Sequence, residues 1–159
     1  MKKLILASAV MFAMTACETS TSANGGSGKG VNGYSCKVTR TDNTVTLYET
    51  YALGTYQQTQ TVYQDQYGFD YSVWITDIYS NDPAEAAEEC ADERDEARNW
   101  KDGSYQVECT SNSVHVRQRD DSGRENMDGT VVEFQAMCDE GYRRAQNGTL
   151  YEDDDEDWD

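Results

Sequence analysis

The amino-acid sequence predicts an α+β domain in which an antiparallel sheet has two helices packed on one face. Two observations predict this fold class. Polar and apolar residues alternate in six short segments, which is typical of half-buried strands, and two other segments combine helix-capping signals with helical spacing of apolar residues. The elements follow one another in the order ββββαββα. Four cysteines in the same region predict two disulfides.

The first four strands are predicted to form two hairpins. Residues 34–40 (YSCKVTR) and 44–51 (TVTLYETY) alternate with period two on either side of a Thr-Asp-Asn turn. The second hairpin pairs 59–64 (TQTVYQ) with 69–79 (FDYSVWITDIY), and Gly68 marks its turn. Both hairpins are therefore expected to contribute neighbouring strands to one sheet.

Two helices are predicted, one on each side of a third hairpin. The segment 82–85 (DPAE) combines a capping aspartate, a proline at the first helical position and a glutamate three residues after the cap. A helix is therefore expected over 83–100. The third hairpin pairs 104–110 with 113–118. A second capping box at 130–133 (TVVE) is expected to begin the last helix.

The composition divides the chain into four segments. Residues 1–16 begin with two lysines and continue with an apolar run too short to cross a bilayer as a helix, which predicts a signal peptide. Residues 17–33 are rich in Ser, Thr and Gly and are expected to be a flexible tether. A single globular domain is predicted over 34–147, and the acidic residues of 148–159 predict a disordered tail.

The apolar run ends in Met14-Thr15-Ala16-Cys17. This stretch resembles the small-residue box of bacterial lipoprotein signal peptides, which ends in a cysteine. The resemblance implies that Cys17 receives a diacylglycerol thioether and becomes the mature N-terminus, anchoring the chain to the cell envelope. Glu18, rather than an aspartate, follows the cysteine, which favours the outer membrane over the inner membrane. Cys17 is thus interpreted as a lipid anchor and not as a catalytic thiol.

The remaining four cysteines, Cys36, Cys90, Cys109 and Cys138, can pair in three ways. Cys90 lies about 15 Å along the helix from its end, and Cys109 lies about 20 Å along the next strand. A helix that folds back on this strand brings these two cysteines together. Their positions favour Cys90 with Cys109 and Cys36 with Cys138, and the two other connectivities remain open. Disulfides are typical of an extracytoplasmic compartment.

The chain is strongly acidic. Its formal net charge is −17, and removal of residues 1–16, with their two lysines, changes it to −19. Such a charge excludes nucleic acid as a partner, because binding nucleic acid requires cations that neutralise phosphates. The first helix carries an acidic face, which is typical of a solvated surface, with binding of a cation or a basic partner as the alternative. The acidic residues are Glu85, Glu88, Glu89, Asp92, Glu93 and Glu96.

The sequence contains no recognisable set of catalytic, metal-ligating or cofactor-binding residues. His115 is the only histidine, and it alternates with Val114 and Val116, so its side chain is expected to face solvent or a helix edge. One histidine and four extracytoplasmic cysteines are better explained by disulfides than by zinc. We therefore expect a protein without cofactor or metal, and not an enzyme.

Tyrosines are concentrated in the strands, where seven of the eleven lie between Tyr48 and Tyr79 among Thr and Gln. A half-buried strand accounts for this pattern, because the ring packs and the hydroxyl stays in water. An exposed binding platform for protein or glycan is the alternative. The candidate binding residues are Tyr48, Tyr51, Tyr63, Tyr67 and Tyr71.

The expected function is that of a membrane-anchored, non-enzymatic envelope lipoprotein. Its disulfide-braced domain is expected to bind an envelope protein or polysaccharide through the tyrosine-rich sheet or the acidic helix. The first alternative is an inhibitor or immunity-type lipoprotein that blocks a basic site on another protein. A carboxylate-dependent hydrolase is less favoured, and it would require a buried carboxylate pair in a cleft.

Overall fold

The computed structural model describes residues 30–122 and 126–150, and these residues form six strands and two helices. The strands are β1 (Ser35–Arg40), β2 (Thr44–Tyr51), β3 (Gly54–Gln64), β4 (Asp70–Ser80), β5 (Gly103–Cys109) and β6 (Ser113–Asp120), and the helices are α1 (Pro83–Asn99) and α2 (Met127–Asn147). The element order is the predicted one. The predicted signal peptide, Cys17, most of the tether and the acidic tail beyond residue 150 lie outside the described residues.

All strands belong to one antiparallel sheet with the order β1-β2-β3-β4-β6-β5. The first four strands form a meander in which each strand pairs with the next. Helix α1 then carries the chain to the far edge, where β5 forms, and β6 returns between β5 and β4. The predicted α+β fold is therefore confirmed.

Both helices pack on the same face of the sheet. Helix α2 contacts β1 and β2, whereas α1 contacts β4, β5 and β6. We call this side the covered face, and its core includes Val45, Leu47, Tyr56, Ile78 and Val114. Successive strand residues point to opposite sides. The alternate residues form the open face, and they include Thr46, Tyr48, Thr59, Ile75 and Arg117.

Helix α1 begins at the predicted residue. Asp82 is its N-cap and accepts a hydrogen bond from the Ala84 N–H at 2.9 Å, and Pro83 occupies the first helical position. Glu85 accepts from the Ser80 hydroxyl at 2.7 Å, so the helix start is also tied to the end of β4. Neither described helix has both the length and the apolar character needed to cross a membrane.

Helix α2 begins before the predicted capping box, which corrects the expectation that Thr130 is the cap. The N-cap is Asn126, whose side-chain oxygen accepts from the Gly129 N–H at 3.1 Å. Thr130 lies within the helix, is buried, and donates its hydroxyl to the Asn126 carbonyl. The helix ends at Gly148, whose φ of 78° is the left-handed conformation that glycine adopts readily.

Both ends of the described chain contact the C-terminal part of α2. The Asn32 amide donates to the Ala145 carbonyl at 2.8 Å, and Val31 forms an antiparallel bridge with Tyr34. Leu150 is partly buried against the core. The last residues of the predicted tether and the first residues of the predicted tail therefore lie close together at one end of the sheet.

Each disulfide joins an edge strand to a helix. Cys36 on β1 is bonded to Cys138 on α2, with the Cα atoms 5.4 Å apart, and Cys90 on α1 is bonded to Cys109 on β5, with the Cα atoms 6.1 Å apart. This is the pairing favoured from the sequence. Because β1 and β5 are the two edges of the sheet, the covalent bonds hold both edges against the helical layer.

The two disulfides are expected to contribute unequally to stability. Cys36–Cys138 closes a separation of 102 residues and Cys90–Cys109 one of 19, so loop-closure entropy predicts losses of about 5 and about 3 kcal/mol when each pair is replaced by serine. The measurement is urea unfolding of the two double variants, Cys36→Ser with Cys138→Ser and Cys90→Ser with Cys109→Ser. A larger loss for the second double variant would contradict the prediction.

Candidate functional site

The open face of β2 and β3 is lined by uncharged polar and aromatic side chains. We call it the hydroxyl strip, and its members are Thr44, Thr46, Tyr48, Thr50, Thr55, Gln57, Thr59, Thr61 and Tyr63. Thr44 lies opposite Thr61, and Thr46 lies opposite Thr59, with the two hydroxyls of each pair 3.2 Å apart. These cross-strand hydrogen bonds fix the threonine rotamers. The strip is therefore an ordered surface of hydroxyl and amide groups.

Charged side chains of the open face lie beside the hydroxyl strip. Lys37 on β1 is opposite Tyr48, and Asp77 on β4 is opposite Gln57. His115 on β6 pairs with Asp77, with Nδ1 and Oδ1 2.7 Å apart. The histidine thus lies on the open face, as its alternation with valines predicts. Its ring is engaged with a carboxylate on the neighbouring strand.

Aromatic side chains form one end of the open face, at the β3–β4 hairpin. We call this the aromatic end, and its members are Tyr63, Tyr67, Phe69 and Tyr71. Tyr63 and Tyr71 are stacked, with ring centroids 5.4 Å apart and planes 19° apart. The Arg119 guanidinium lies 4.2 Å from the Tyr71 ring centroid, in the range of a cation–π contact. Tyr71 therefore has an aromatic neighbour on one strand and a cationic neighbour on another.

The turn between β3 and β4 holds two aromatic rings in solvent. Tyr67 is 76% exposed and Phe69 is 72% exposed. Asp65 organises this turn, because its side chain accepts from the backbone N–H groups of Tyr67 and Phe69 at 2.8 and 2.9 Å. The turn backbone is therefore fixed although its aromatic side chains are exposed. Such preorganisation lowers the entropy lost on binding.

The five tyrosines predicted as a binding platform divide into two groups. Tyr48, Tyr63 and Tyr71 lie on the open face, and Tyr67 lies in the adjoining turn. Tyr51 does not belong to this surface, because it lies on the covered face and packs against Tyr34 with ring centroids 5.3 Å apart. Phe69 and Arg119, which were not predicted as binding residues, belong to the aromatic end and its border. Their placement depends on the turn and on the β4–β6 pairing.

Glu49 is a buried acid on the covered face. Its residue exposure is 3%, and it is in phase with Val45 and Leu47 along β2. The hydroxyls of Tyr34 and Tyr51 both hydrogen-bond to the carboxylate. The alternation of β2 already places Glu49 on the apolar side, and this signal identifies it from sequence. Glu49 was not among the residues predicted for a site.

Tyr34 reaches Glu49 by passing close to helix α2. A Cβ atom at Gly141 would lie 2.1 Å from the Tyr34 hydroxyl oxygen, so the absence of a side chain at residue 141 makes room for the ring. Tyr142 packs edge-on against Tyr34 with ring centroids 5.0 Å apart, and its hydroxyl accepts from the Cys36 N–H at 3.1 Å. The buried carboxylate is therefore bound by Tyr51 of β2 and by Tyr34, which precedes β1 and is itself packed against Tyr142 of α2.

Burial is the main cause that raises the pKa of the Glu49 carboxyl above its ordinary value, and the hydrogen bonds from Tyr34 and Tyr51 oppose the shift. The pKa values of the Tyr34 and Tyr51 hydroxyls are also raised, first by burial and then by the charge of Glu49. These phenols therefore remain protonated donors. The arrangement is a single carboxylate held by tyrosines between helix and sheet, which differs from the carboxylate pair expected of a hydrolase.

The acidic side chains of α1 are only partly available to a partner. Glu85 is bonded to Ser80, and Glu93 accepts a hydrogen bond from the Tyr105 hydroxyl of β5. Glu88 and Asp92 are exposed. The acidic helix therefore uses some of its carboxylates to attach itself to the sheet, and it exposes Glu88, Asp92 and Glu96 to solvent.

Comparison with protein-family models, with curated proteins and with solved structures finds no significant match to this chain. The function is therefore inferred from the chemistry of the open face and from the N-terminal sequence.

Replacing Glu49 with glutamine is expected to change how stability depends on pH. A glutamate ionises near pH 4.3 in an unfolded chain, and its pKa is higher in the fold. The stability contributed by protonated Glu49 is therefore complete below about pH 4.3 and is lost as pH rises through the folded-state pKa. Glu49→Gln should be more stable than the wild type at pH 7 and equally stable at low pH, as measured by urea unfolding across pH.

The matched control for this measurement is Glu88→Gln, at an exposed position on α1. This substitution should change the free energy of unfolding by no more than about 0.5 kcal/mol. If the stability difference between Glu49→Gln and the wild type were the same at every pH, ionisation of Glu49 would not be its cause.

Proposed function

We propose that this protein is a lipid-anchored protein of the bacterial envelope, whose domain binds an envelope protein or polysaccharide through its open face and is not an enzyme. The observation that carries the proposal is the one-sided packing of the domain. Both helices lie on the covered face, and among the described residues no element covers the hydroxyl strip or the aromatic end. A surface of this composition, left in water, is suited to recognition.

The extracytoplasmic location is supported by the cysteines. Two disulfides occupy four of the five cysteines of the chain, and disulfides persist in oxidising compartments. The remaining cysteine is Cys17, which ends the stretch that resembles a lipoprotein signal peptide. Lipid attachment at Cys17 therefore accounts for the odd cysteine. The outer membrane is the favoured site of anchorage, and the domain would lie on either its periplasmic or its surface side.

The geometry supports binding at a distance from the anchored end. The chain enters the domain beside the β2–β3 turn, where Gly33 is next to Ala52. The aromatic end lies at the opposite end of β3, which has 11 residues and is therefore roughly 35 Å long. A lipid at Cys17 would attach the domain by its entry end. The aromatic end would then be the end of β3 farther from the point of attachment.

The inhibitor or immunity-type alternative rests on charge. The mature chain is strongly acidic, and α1 exposes Glu88 and Asp92, which could face a basic site on another protein. The hydrolase alternative has weaker support. Glu49 is the buried acid of the described residues, and tyrosine hydroxyls already bind its carboxylate within the helix–sheet interface.

Replacing Cys17 with serine is expected to abolish anchorage. Without the thiol no thioether can form, so the variant should lose fatty-acid labelling. The amount of mature, membrane-bound protein should fall about tenfold or more, because the variant is either released or retained as unprocessed precursor. The measurement is cell fractionation combined with fatty-acid labelling. The control variant, Ser20→Ala, should remain membrane-bound. Unchanged labelling of Cys17→Ser would remove the anchor from the proposal.

Binding through the open face is tested with washed envelopes from cells that lack the protein. The mature chain, made with Cys17→Ser, should be retained on these envelopes. Tyr67→Ala combined with Phe69→Ala should lower retention about tenfold, because both rings are exposed and contribute contact area rather than core packing. Val132→Ala, which shortens an exposed apolar side chain on α2, should leave retention unchanged. Equal retention of all three chains would contradict the proposed binding face.

A further inference from the structure

We infer that the open face binds a neutral polysaccharide chain, which lies along the hydroxyl strip with its sugar rings against the aromatic end. The inference rests on the proposed function and specifies the class of its ligand. Its basis is the juxtaposition of an uncharged strip, two side chains wide, with stacked and exposed aromatic rings.

The first argument is the distribution of charge. Charged residues make up 27% of the chain, yet none of the nine side chains of the hydroxyl strip is charged. Lys37 and Asp77 only border the strip, so a charged ligand laid along it would lose hydration over most of its length without gaining an ionic partner, and such desolvation is costly. An uncharged ligand avoids this cost. Asp77, which borders the strip, is already paired with His115, and the exposed acidic side chains of α1 that would attract a basic partner do not belong to this face.

The second argument is hydrogen-bonding capacity. A threonine hydroxyl has one donor and two acceptor sites, and the glutamine amide has both kinds of group. In the pair Thr46 and Thr59 one hydroxyl donates to the other, so the pair keeps one donor and several acceptor sites for a ligand. Thr44 and Thr61 repeat this arrangement. Sugar hydroxyls are likewise donors and acceptors, so they match such a surface without any need for charge.

The third argument is the aromatic end. The faces of pyranose rings are apolar because they present C–H groups, and they pack against flat aromatic side chains. Tyr67 and Phe69 offer such rings on a turn whose backbone is fixed by Asp65. Tyr63 and Tyr71 continue the aromatic surface onto the strands. The rings at one end and the hydroxyls along the strip together suit a chain of sugars.

The shape of the surface agrees with a linear ligand. The Thr55 hydroxyl is buried, and along β3 the remaining members of the hydroxyl strip run from Gln57 to Tyr63, a distance of about 20 Å for a strand. A protein partner usually requires a desolvated, aromatic-rich centre surrounded by a polar rim, and threonine is under-represented among its key residues. Here the centre consists of threonine and glutamine with Tyr48 as its one aromatic residue, and the other aromatic residues lie at the end. The arrangement favours a polysaccharide over a protein.

The ligand class is tested with two preparations from the native bacterium: whole washed envelopes, and an envelope polysaccharide fraction freed of lipid and digested with protease and nuclease. The full mature chain carrying Cys17→Ser should bind both preparations, and high salt should not release it. Binding to whole envelopes but not to the digested fraction would overturn the polysaccharide ligand and leave the proposed function standing. Binding to neither preparation would overturn both.

The sign of an introduced charge distinguishes a neutral ligand from a basic one. Gln57 lies at the middle of the hydroxyl strip. Gln57→Lys and Gln57→Glu should each weaken binding to the polysaccharide fraction about tenfold, because either change removes the amide that offers a neutral chain both a donor and an acceptor, and the new charge interacts with Asp77 on the neighbouring strand instead of with the ligand. The matched controls Gln146→Lys and Gln146→Glu, at an exposed position on α2, should bind like the wild type. Tighter binding by Gln57→Glu together with weaker binding by Gln57→Lys would indicate a basic ligand and overturn the inference.

Discussion

The packing of both helices on one face of the sheet is the constraint on which the rest of this structure depends. An antiparallel sheet can keep one face in water, and the alternation along each strand then separates apolar from polar side chains. On β2 this alternation sends Val45 and Leu47 into the core and Thr46 and Tyr48 to the open face. The core and the candidate binding surface are thus two sides of the same strands.

The same constraint explains the buried acid. Glu49 lies on the same side of β2 as Val45 and Leu47, so the helices that cover this face also bury its carboxylate. The cost of burying it is offset by hydroxyl donors from Tyr34 and Tyr51, and Tyr34 can reach it only because Gly141 leaves space on α2. A polar contact of this kind is satisfied in one arrangement of β1, β2 and α2. The contact therefore favours this one arrangement of the three elements, whereas hydrophobic burial alone would allow several.

Local signals were sufficient to predict much of this fold from sequence. The cap and proline at Asp82-Pro83 fixed the start of α1, and the alternation in β2 and β4 identified strands. The start of α2 was misplaced because Thr130 also fits a capping box, although Asn126 forms the cap in the fold. The contact of Arg119 with Tyr71 could not be predicted, since it depends on β6 pairing with β4, from which α1 and β5 separate it in sequence, as well as with its hairpin partner β5. Sequence patterns therefore located the tyrosine-rich surface, and long-range pairing determined its border.

The bond between Cys36 and Cys138 has a mechanical consequence for a chain anchored through its N-terminus. A pull on that end would act on β1, which is an edge strand. The hydrogen bonds of an edge strand break one after another when the strand is pulled away from its end. Peeling would stop at the second residue of the strand, because Cys36 is bonded to α2. The force would then pass into the helix and through it into the packed core. The domain could bear load between the proposed lipid anchor and a ligand on the proposed binding face without unfolding from its first strand.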